Sequence, residues 1–262
     1  MTRIGNKFDI LKAAGKKALV PFFFAGDPNL QTTYELVLSA EKAGADIIEL
    51  GIPYSDPLAD GPVNQAASAR ALKNGIKLKD IFKLVGDLRK VTDIPIAFLL
   101  YFNCIMQYGM QRFLQDCTEY GVDGLVIPDL PYEERLRYKS LFDGYPVDII
   151  ALVTPASQER IQAIAKDAKG FVYCVTSSGV TGVRNAFQTD FKSFMDEVKK
   201  NTDTARVLGF GISTPQQVKD LKQYAEGIIV GSAIVKRMGE YEDPKEMIEN
   251  VSGFIRELKA AL

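Results

Sequence analysis

Residues 46–62 read DIIELGIPYSDPLADGP. The segment opens as a short apolar strand holding one carboxylate and closes as a loop crowded with turn residues. Side chains alternate along an extended chain, so Ile47, Glu49 and Gly51 share one face and Ile48 and Leu50 the other. Burying an unpaired carboxylate is costly, which makes Glu49 unusual in such a strand. Gly51, two residues on, leaves space above it. Pro53, Ser55-Asp56-Pro57 and Asp60-Gly61-Pro62 then stop the strand and delay any helix until Pro62. A carboxylate at a strand's C-terminal end is thus followed by a loop carrying two more, Asp56 and Asp60. Two readings are open. Glu49 pairs with a distant Lys or Arg while Asp60 is an ordinary Asp-Gly turn residue, or the two form an acid–base pair at the mouth of a parallel sheet or barrel, where such sites sit.

Outward from this segment the chain keeps one rhythm. Ile4, Phe8 and Leu11 stand at helical spacing, so a short helix is expected over residues 2–14. Strands are expected at 18–25, 46–50, 95–102, 124–128, 147–153, 171–175, 206–208 and 227–230. Helical patterns follow at 30–43, 63–73, 78–91, 110–120, 133–142, from the Ser157 cap to 168, at 190–200, after Ser213 or Thr214, and at 244–261. The strands are nearly continuous apolar runs, as in parallel sheets covered on both faces. A phrase recurs where helices hand over to strands: Gly44-Ala45-Asp46, Gly121-Val122-Asp123 and Ala225-Glu226-Gly227. Its irregular spacing marks βα alternation and not a solenoid. Eight βα units in 262 residues fit an α/β fold, a single (β/α)8 or TIM barrel, with an extra N-terminal helix and long loops after strands two and six. No stretch resembles an interdomain linker, so residues 1–262 are expected to form one domain. A doubly wound sheet is the alternative, but AGDPN after the first strand is no dinucleotide fingerprint.

Composition narrows the chemistry. The net charge is −1 and no basic run forms a stripe, so neither nucleic acid nor an anionic membrane is an expected partner. Cys104, Cys117 and Cys174 are scattered; they suggest neither a metal site nor a disulfide framework, and they suit a reducing cytoplasm. The longest apolar run, 96–102, is far too short to span a bilayer. With no histidine in the chain, proton transfer falls to Glu, Asp, Tyr, Lys or Cys.

In barrels of this kind a phosphate commonly sits between the loops after strands seven and eight. Counting strands places GFGIS (209–213) and GSA (231–233) there, each leading towards a helix N-terminus, where backbone N–H groups favour anions. Ser232 adds a hydroxyl. The polar strand-six loop, with Gly179, Thr181 and Gly182, reads as a mobile cover or as a solvated connector. Phe22, Tyr101 and Tyr173 either line an aromatic ligand or pack the core.

These segments together resemble the tryptophan synthase alpha subunit family. The likeness runs from PFFFAGDP (21–28) through ELGIPYSDPLADGP (49–62), the 121–131 segment and SGVTG (178–182) to GFGIS and GSAIVK (231–236). It implies a cytoplasmic lyase of tryptophan biosynthesis that cleaves indole-3-glycerol phosphate to indole and glyceraldehyde 3-phosphate by a retro-aldol reaction. It implies no metal and no cofactor on this subunit, and a pyridoxal-phosphate-dependent beta subunit as partner in an αββα assembly that receives the indole. By match to the family, Glu49 and Asp60 are the catalytic pair, and Phe22, Leu99, Tyr101 and Phe210 line the indole pocket, with Tyr173 near the glycerol phosphate. Gly182, Gly211, Gly231 and Ser232 hold the phosphate, Thr181 tethers the mobile loop to Asp60, and Pro53 and Asp56 meet the beta subunit. Two positions depart from family forms: Ser177, where some members carry Arg, and Cys104, where Pro is common. The rival expectations are a stand-alone lyase that releases free indole, and a barrel without activity that binds a phosphorylated ligand for regulation.

Overall fold

The computed structural model describes residues 2–175, 184–209 and 211–262. Its sheet contains strands β1 (Ala18–Phe24), β2 (Ile48–Gly51), β3 (Ile96–Leu99), β4 (Gly124–Val126), β5 (Asp148–Ile149), β6 (Ala151–Val153), β7 (Val172–Val175), β8 (Arg206–Gly209) and β9 (Gly227–Val230), and its α-helices run in chain order α1 (Arg3–Ala13), α2 (Leu30–Lys42), α3 (Pro62–Lys73), α4 (Leu78–Leu88), α5 (Phe102–Tyr108), α6 (Met110–Tyr120), α7 (Tyr132–Arg137), α8 (Lys139–Phe142), α9 (Ile161–Lys166), α10 (Arg184–Asn201), α11 (Pro215–Leu221), α12 (Ser232–Met238) and α13 (Pro244–Ala261). Every ladder is parallel. The strand order is β5-β4-β3-β2-β1-β9-β8-β7-β6. Its two ends, β5 and β6, are separated in sequence by Ile150 alone, so they form one stave and the sheet closes on itself. The expected strand at 147–153 is therefore divided: β5 pairs with β4 and β6 with β7. The fold is a (β/α)8 barrel, and among the described residues no helix is long and apolar enough to cross a membrane.

Side-chain alternation sorts the core into two layers. One face of each stave packs inside the barrel: Val20, Phe22, Ile47, Ala97, Val126, Ile150, Tyr173, Val207 and Ile229. The other face, including Leu19, Phe23, Ile48, Leu50, Phe98, Leu125 and Leu208, meets the surrounding helices. The N-terminal helix α1 (Arg3–Ala13) contributes Ile4, Phe8 and Leu11 to the inner layer and so plugs the barrel's N-terminal end.

The recurrent acidic phrase turns out to be a strand clamp. Asp46 accepts from the Leu19 N–H at 2.8 Å and from Lys259 Nζ at 2.6 Å. Asp123 accepts from the Ile96 N–H at 2.8 Å and from Arg89 and Arg3 at 2.7 and 3.0 Å. Glu226 accepts from the Arg206 N–H at 2.9 Å and from its guanidinium at 2.6 Å. Each carboxylate thus satisfies a backbone donor of the neighbouring stave and finds a cation close by. This explains why regular strand begins at Ile48 and not at Asp46. Arg89 also donates to the Gly121 and Ile94 carbonyls, at 2.9 and 2.7 Å. Arg89→Met leaves Asp123 with Arg3 as its remaining cation and should cost about 1.5–3 kcal/mol, the range for a lost hydrogen bond to a charged group; urea denaturation would measure it, and a loss below about 1 kcal/mol would contradict the clamp.

Local readings differ in four other places. Helix α5 (Phe102–Tyr108) takes the last residue of the strand expected at 95–102 and the unassigned residues after it, and is separated from α6 (Met110–Tyr120) by Gly109 at φ +90°. The helix expected at 133–142 is broken at Tyr138 into α7 (Tyr132–Arg137) and α8 (Lys139–Phe142). Ser157 is not the cap but lies in the first turn of a 3-10 helix, Pro155–Arg160, where its Oγ accepts from the N–H of Thr154, the residue in the cap position. Helix α10 (Arg184–Asn201) begins before residue 190, inside the stretch read as loop. Thr214 caps its helix as expected, accepting from the Gln217 N–H at 3.2 Å, and Asn29 caps α2, accepting from the Thr32 N–H at 2.8 Å.

Candidate active site

Glu49 projects into the barrel from β2, in register with Phe22 of β1 and Ala97 of β3. It is 1% exposed, and among the described residues neither carboxyl oxygen meets a hydrogen-bonding group. No Lys or Arg among them pairs with it, against the reading of a distant ion pair. Burial, reinforced by the charge of Asp60, pushes its pKa up to about 8. At neutral pH Glu49 is therefore a carboxylic acid with a proton to give. The space expected above it at Gly51 is filled: a Cβ there would lie 2.8 Å from Phe22 Cζ and 2.9 Å from Phe24 Cδ1. Gly51 lets those two rings meet edge to face, with centroids 5.1 Å apart, beside the carboxyl group.

Asp60 stands on the loop between β2 and α3 (Pro62–Lys73). Its Oδ2 accepts from the Tyr101 hydroxyl at 2.9 Å and its Oδ1 from Asn64 Nδ2 at 3.2 Å. The Tyr101 oxygen in turn accepts from the Ala59 N–H at 2.9 Å, and the Tyr54 ring stacks on Tyr101 with centroids 5.1 Å apart. Burial and then the Asp60 charge raise the Tyr101 phenol, so it stays a donor throughout the physiological range. Tyr101→Phe removes the hydroxyl's two bonds to the loop, leaving Asn64 on Asp60, and should lower kcat about tenfold, since a hydrogen bond to a charged group contributes about 1.5–3 kcal/mol; steady-state kinetics would test this, and an unchanged kcat would show that the remaining bonds hold the loop.

A cavity of about 680 Å³ opens at the C-terminal end of the barrel and joins these groups. Phe22, Glu49, Asp60, Leu99, Tyr101, Tyr173, Gly211, Gly231 and Ser232 all line it. Tyr173 rises from β7 against β8, where a Cβ on Gly209 would lie 2.3 Å from its ring. Gly211 has φ +72°, a conformation that favours glycine, and a Cβ on Gly231 would press on Phe22 at 3.1 Å. Ser232 opens α12 (Ser232–Met238), whose first N–H groups lack intrahelical partners. Ser213 is already engaged, its N–H and hydroxyl both bonded to Gln217 Oε1. Among the described residues, Gly211 on one loop and Gly231 and Ser232 on the other bring backbone N–H groups to the cavity wall. Thr181, Gly182 and Phe210, with Ser177, lie outside the described residues.

Over residues 8–262 the chain matches the family model described as tryptophan synthase alpha chain. The chain belongs to that family. It is 52% identical over 262 residues to a tryptophan synthase alpha chain of Caldanaerobacter subterraneus subsp. tengcongensis and 50% identical to one of Thermoanaerobacter sp. (strain X514), each alignment covering the whole of both chains. A crystal structure of tryptophan synthase subunit alpha from Legionella pneumophila str. Paris superposes with a TM-score of 0.90 at 33% identity, covering 100% of this chain and 98% of that one.

Pro53 and Asp56 do not line the cavity. Pro53 is half-buried and Asp56 exposed, near Leu58, which is 92% exposed. Cys104 sits half-buried in α5 and packs against the outer core layer. Sequence reasoning missed Tyr54, Asn64 and Arg135. Asn64 had a signal, four residues after Asp60 where a helix begins; nothing in the sequence separates cavity-lining Arg135 from its neighbour Arg137.

Proposed function

We propose that this chain catalyses the retro-aldol cleavage of indole-3-glycerol phosphate, with residues 1–262 acting as one domain in the cytoplasm. The observation that carries the reading is a buried, unpartnered and protonated Glu49 sharing one cavity with a doubly held Asp60. Indole C3 carries the bond to be broken and is a poor leaving group until protonated. The Glu49 acid donates its proton to C3, turning the ring into a cationic indolenine. The Asp60 carboxylate faces the ring N–H and stabilises that charge. The Glu49 carboxylate then takes the proton from the hydroxyl on the adjoining side-chain carbon. As that oxygen becomes a carbonyl, the carbon–carbon bond breaks and its electron pair returns to the ring, giving indole and glyceraldehyde 3-phosphate. Glu49 ends protonated, as it began. Phe22, Leu99 and Tyr101 would flank the indole, with Phe210 beside them. Tyr173 would meet the glycerol chain, and Gly211, Gly231, Ser232 and Gly182 would hold the phosphate, with Thr181 closing on Asp60.

No cofactor is required for these steps. The partner in this reading is a beta subunit bearing pyridoxal phosphate, in an αββα assembly docked through the Pro53 and Asp56 surface. Incubating the purified chain with indole-3-glycerol phosphate should release indole and glyceraldehyde 3-phosphate in equal amounts, faster when a beta subunit is added. Release without stimulation would favour a stand-alone lyase, and no release in either condition would leave a phosphate-binding barrel.

A further inference from the structure

The cavity does not end at the wall formed by Glu49 and Asp60. Across the mouth it continues past Leu130 towards the stave formed by β5 and β6, where Tyr132, Arg135, Thr154, Ser157 and Ile164 line it. Two arginines border this lobe. Arg160 lies 3.4 Å from Glu133, and both are largely exposed. Arg135 is half-buried, its guanidinium carbon 5.4 Å from the centroid of the Tyr132 ring. Among the described residues no carboxylate lies within ion-pair distance of it; Asp167 and Asp143 attract it only through space, and Asp143 is held by Lys139 and Lys169 at 3.2 and 2.6 Å. A half-buried guanidinium without an ion pair of its own keeps N–H donors for an arriving anion.

The lobe offers a second donor. The Thr154 and Ser157 hydroxyls lie 3.0 Å apart, so one donates to the other. Two hydroxyls carry two hydrogens and this bond uses one, which leaves the other free to donate. Leu130 and Ile164 supply apolar wall. One planar guanidinium fork with one hydroxyl suits a carboxylate, which accepts two parallel N–H bonds. It differs from the Gly211, Gly231 and Ser232 end, which offers backbone N–H groups from two loops.

We propose that this lobe is a second ligand subsite, taking a small carboxylate with an apolar body: the carboxylate on Arg135, the body against Leu130 and Ile164. The subsite goes beyond the lyase reading and does not rest on it, since neither Glu49 nor Asp60 takes part. Calorimetric titration of the intact protein with sodium phenylacetate tests it. Wild type should bind saturably, Arg135→Gln about tenfold or more weakly, and Arg135→Lys with intermediate affinity. Phenylacetamide, of the same shape without the charge, should bind wild type about tenfold more weakly. Inorganic phosphate should not displace phenylacetate. If Arg135→Gln does not fold, as judged by its thermal transition, the comparison of acid with amide on wild type and on Arg135→Lys decides. Unchanged affinity in folded Arg135→Gln, equal affinity for the amide, displacement by phosphate, or no saturable binding would each overturn the proposal.

Discussion

Glu49→Gln is expected to lower kcat by about 10²–10⁴-fold, the usual contribution of a general acid–base group, and to raise the stability of the folded protein above pH 5. The two effects have one origin. Glu49 is buried at the cavity wall with no hydrogen-bond partner among the described residues, and its carboxyl is pushed up from 4.5 to about 8. Below pH 4.5 the group is protonated in both folded and unfolded chains and its ionisation costs nothing. Between 4.5 and about 8 the unfolded chain releases the proton while the folded chain keeps it, so stability falls as pH rises and then levels off. At pH 7 the accumulated cost is about 3 kcal/mol, at 1.36 kcal/mol for each pH unit between the two values. Glutamine cannot ionise, so the variant loses this slope while keeping the shape of the side chain. Urea denaturation at pH 5 and pH 8 should show the stability gap between variant and wild type widening with pH. Parallel pH dependences would mean that Glu49 is not desolvated, and the acid role would lose its physical basis.

Asp60→Asn should lower kcat by about 10²–10³-fold with little change in KM or in folding stability. Asparagine can still accept from Tyr101, so the loop stays fastened. What disappears is the charge facing the ring nitrogen. Two opposite charges about 4 Å apart at an effective dielectric of 20 attract by about 4 kcal/mol, which bounds the loss near a thousandfold. Because the ring becomes cationic only after protonation, the interaction belongs to the transition state and not to substrate binding. A variant whose KM rises while kcat holds would show that Asp60 merely grips the substrate.

Much of the barrel could be read from periodicity. The alternation that put Ile47, Glu49 and Gly51 on one face is the division between barrel interior and helix-facing layer. What escaped were effects of distant partners. The Gly-Ala-Asp phrase was legible as rhythm, but its chemistry depends on Leu19 and Lys259, which are 27 and 213 positions from Asp46. The space above Gly51 was claimed by Phe22 and Phe24 from another strand. The division of the fifth stave at Ile150 follows from which neighbour each half pairs with, and an apolar run cannot announce that. In the site, Glu49 and Asp60 stood out as carboxylates among apolar and turn residues. Tyr101, expected as an aromatic wall, also holds Asp60 through a hydroxyl 41 positions away in sequence. Arg135 came into the cavity only through the packing of a short helix.

Everything in the mechanism follows from Glu49 resting as a protonated acid inside the barrel. Titrating the protein labelled with ¹³C at glutamate side-chain carboxyl carbons, with Glu49→Gln to assign the signal, measures this directly. One carboxyl resonance, absent from the variant, should titrate with a midpoint near 8. A Glu49 resonance titrating near 4.5 with the other glutamates would contradict it.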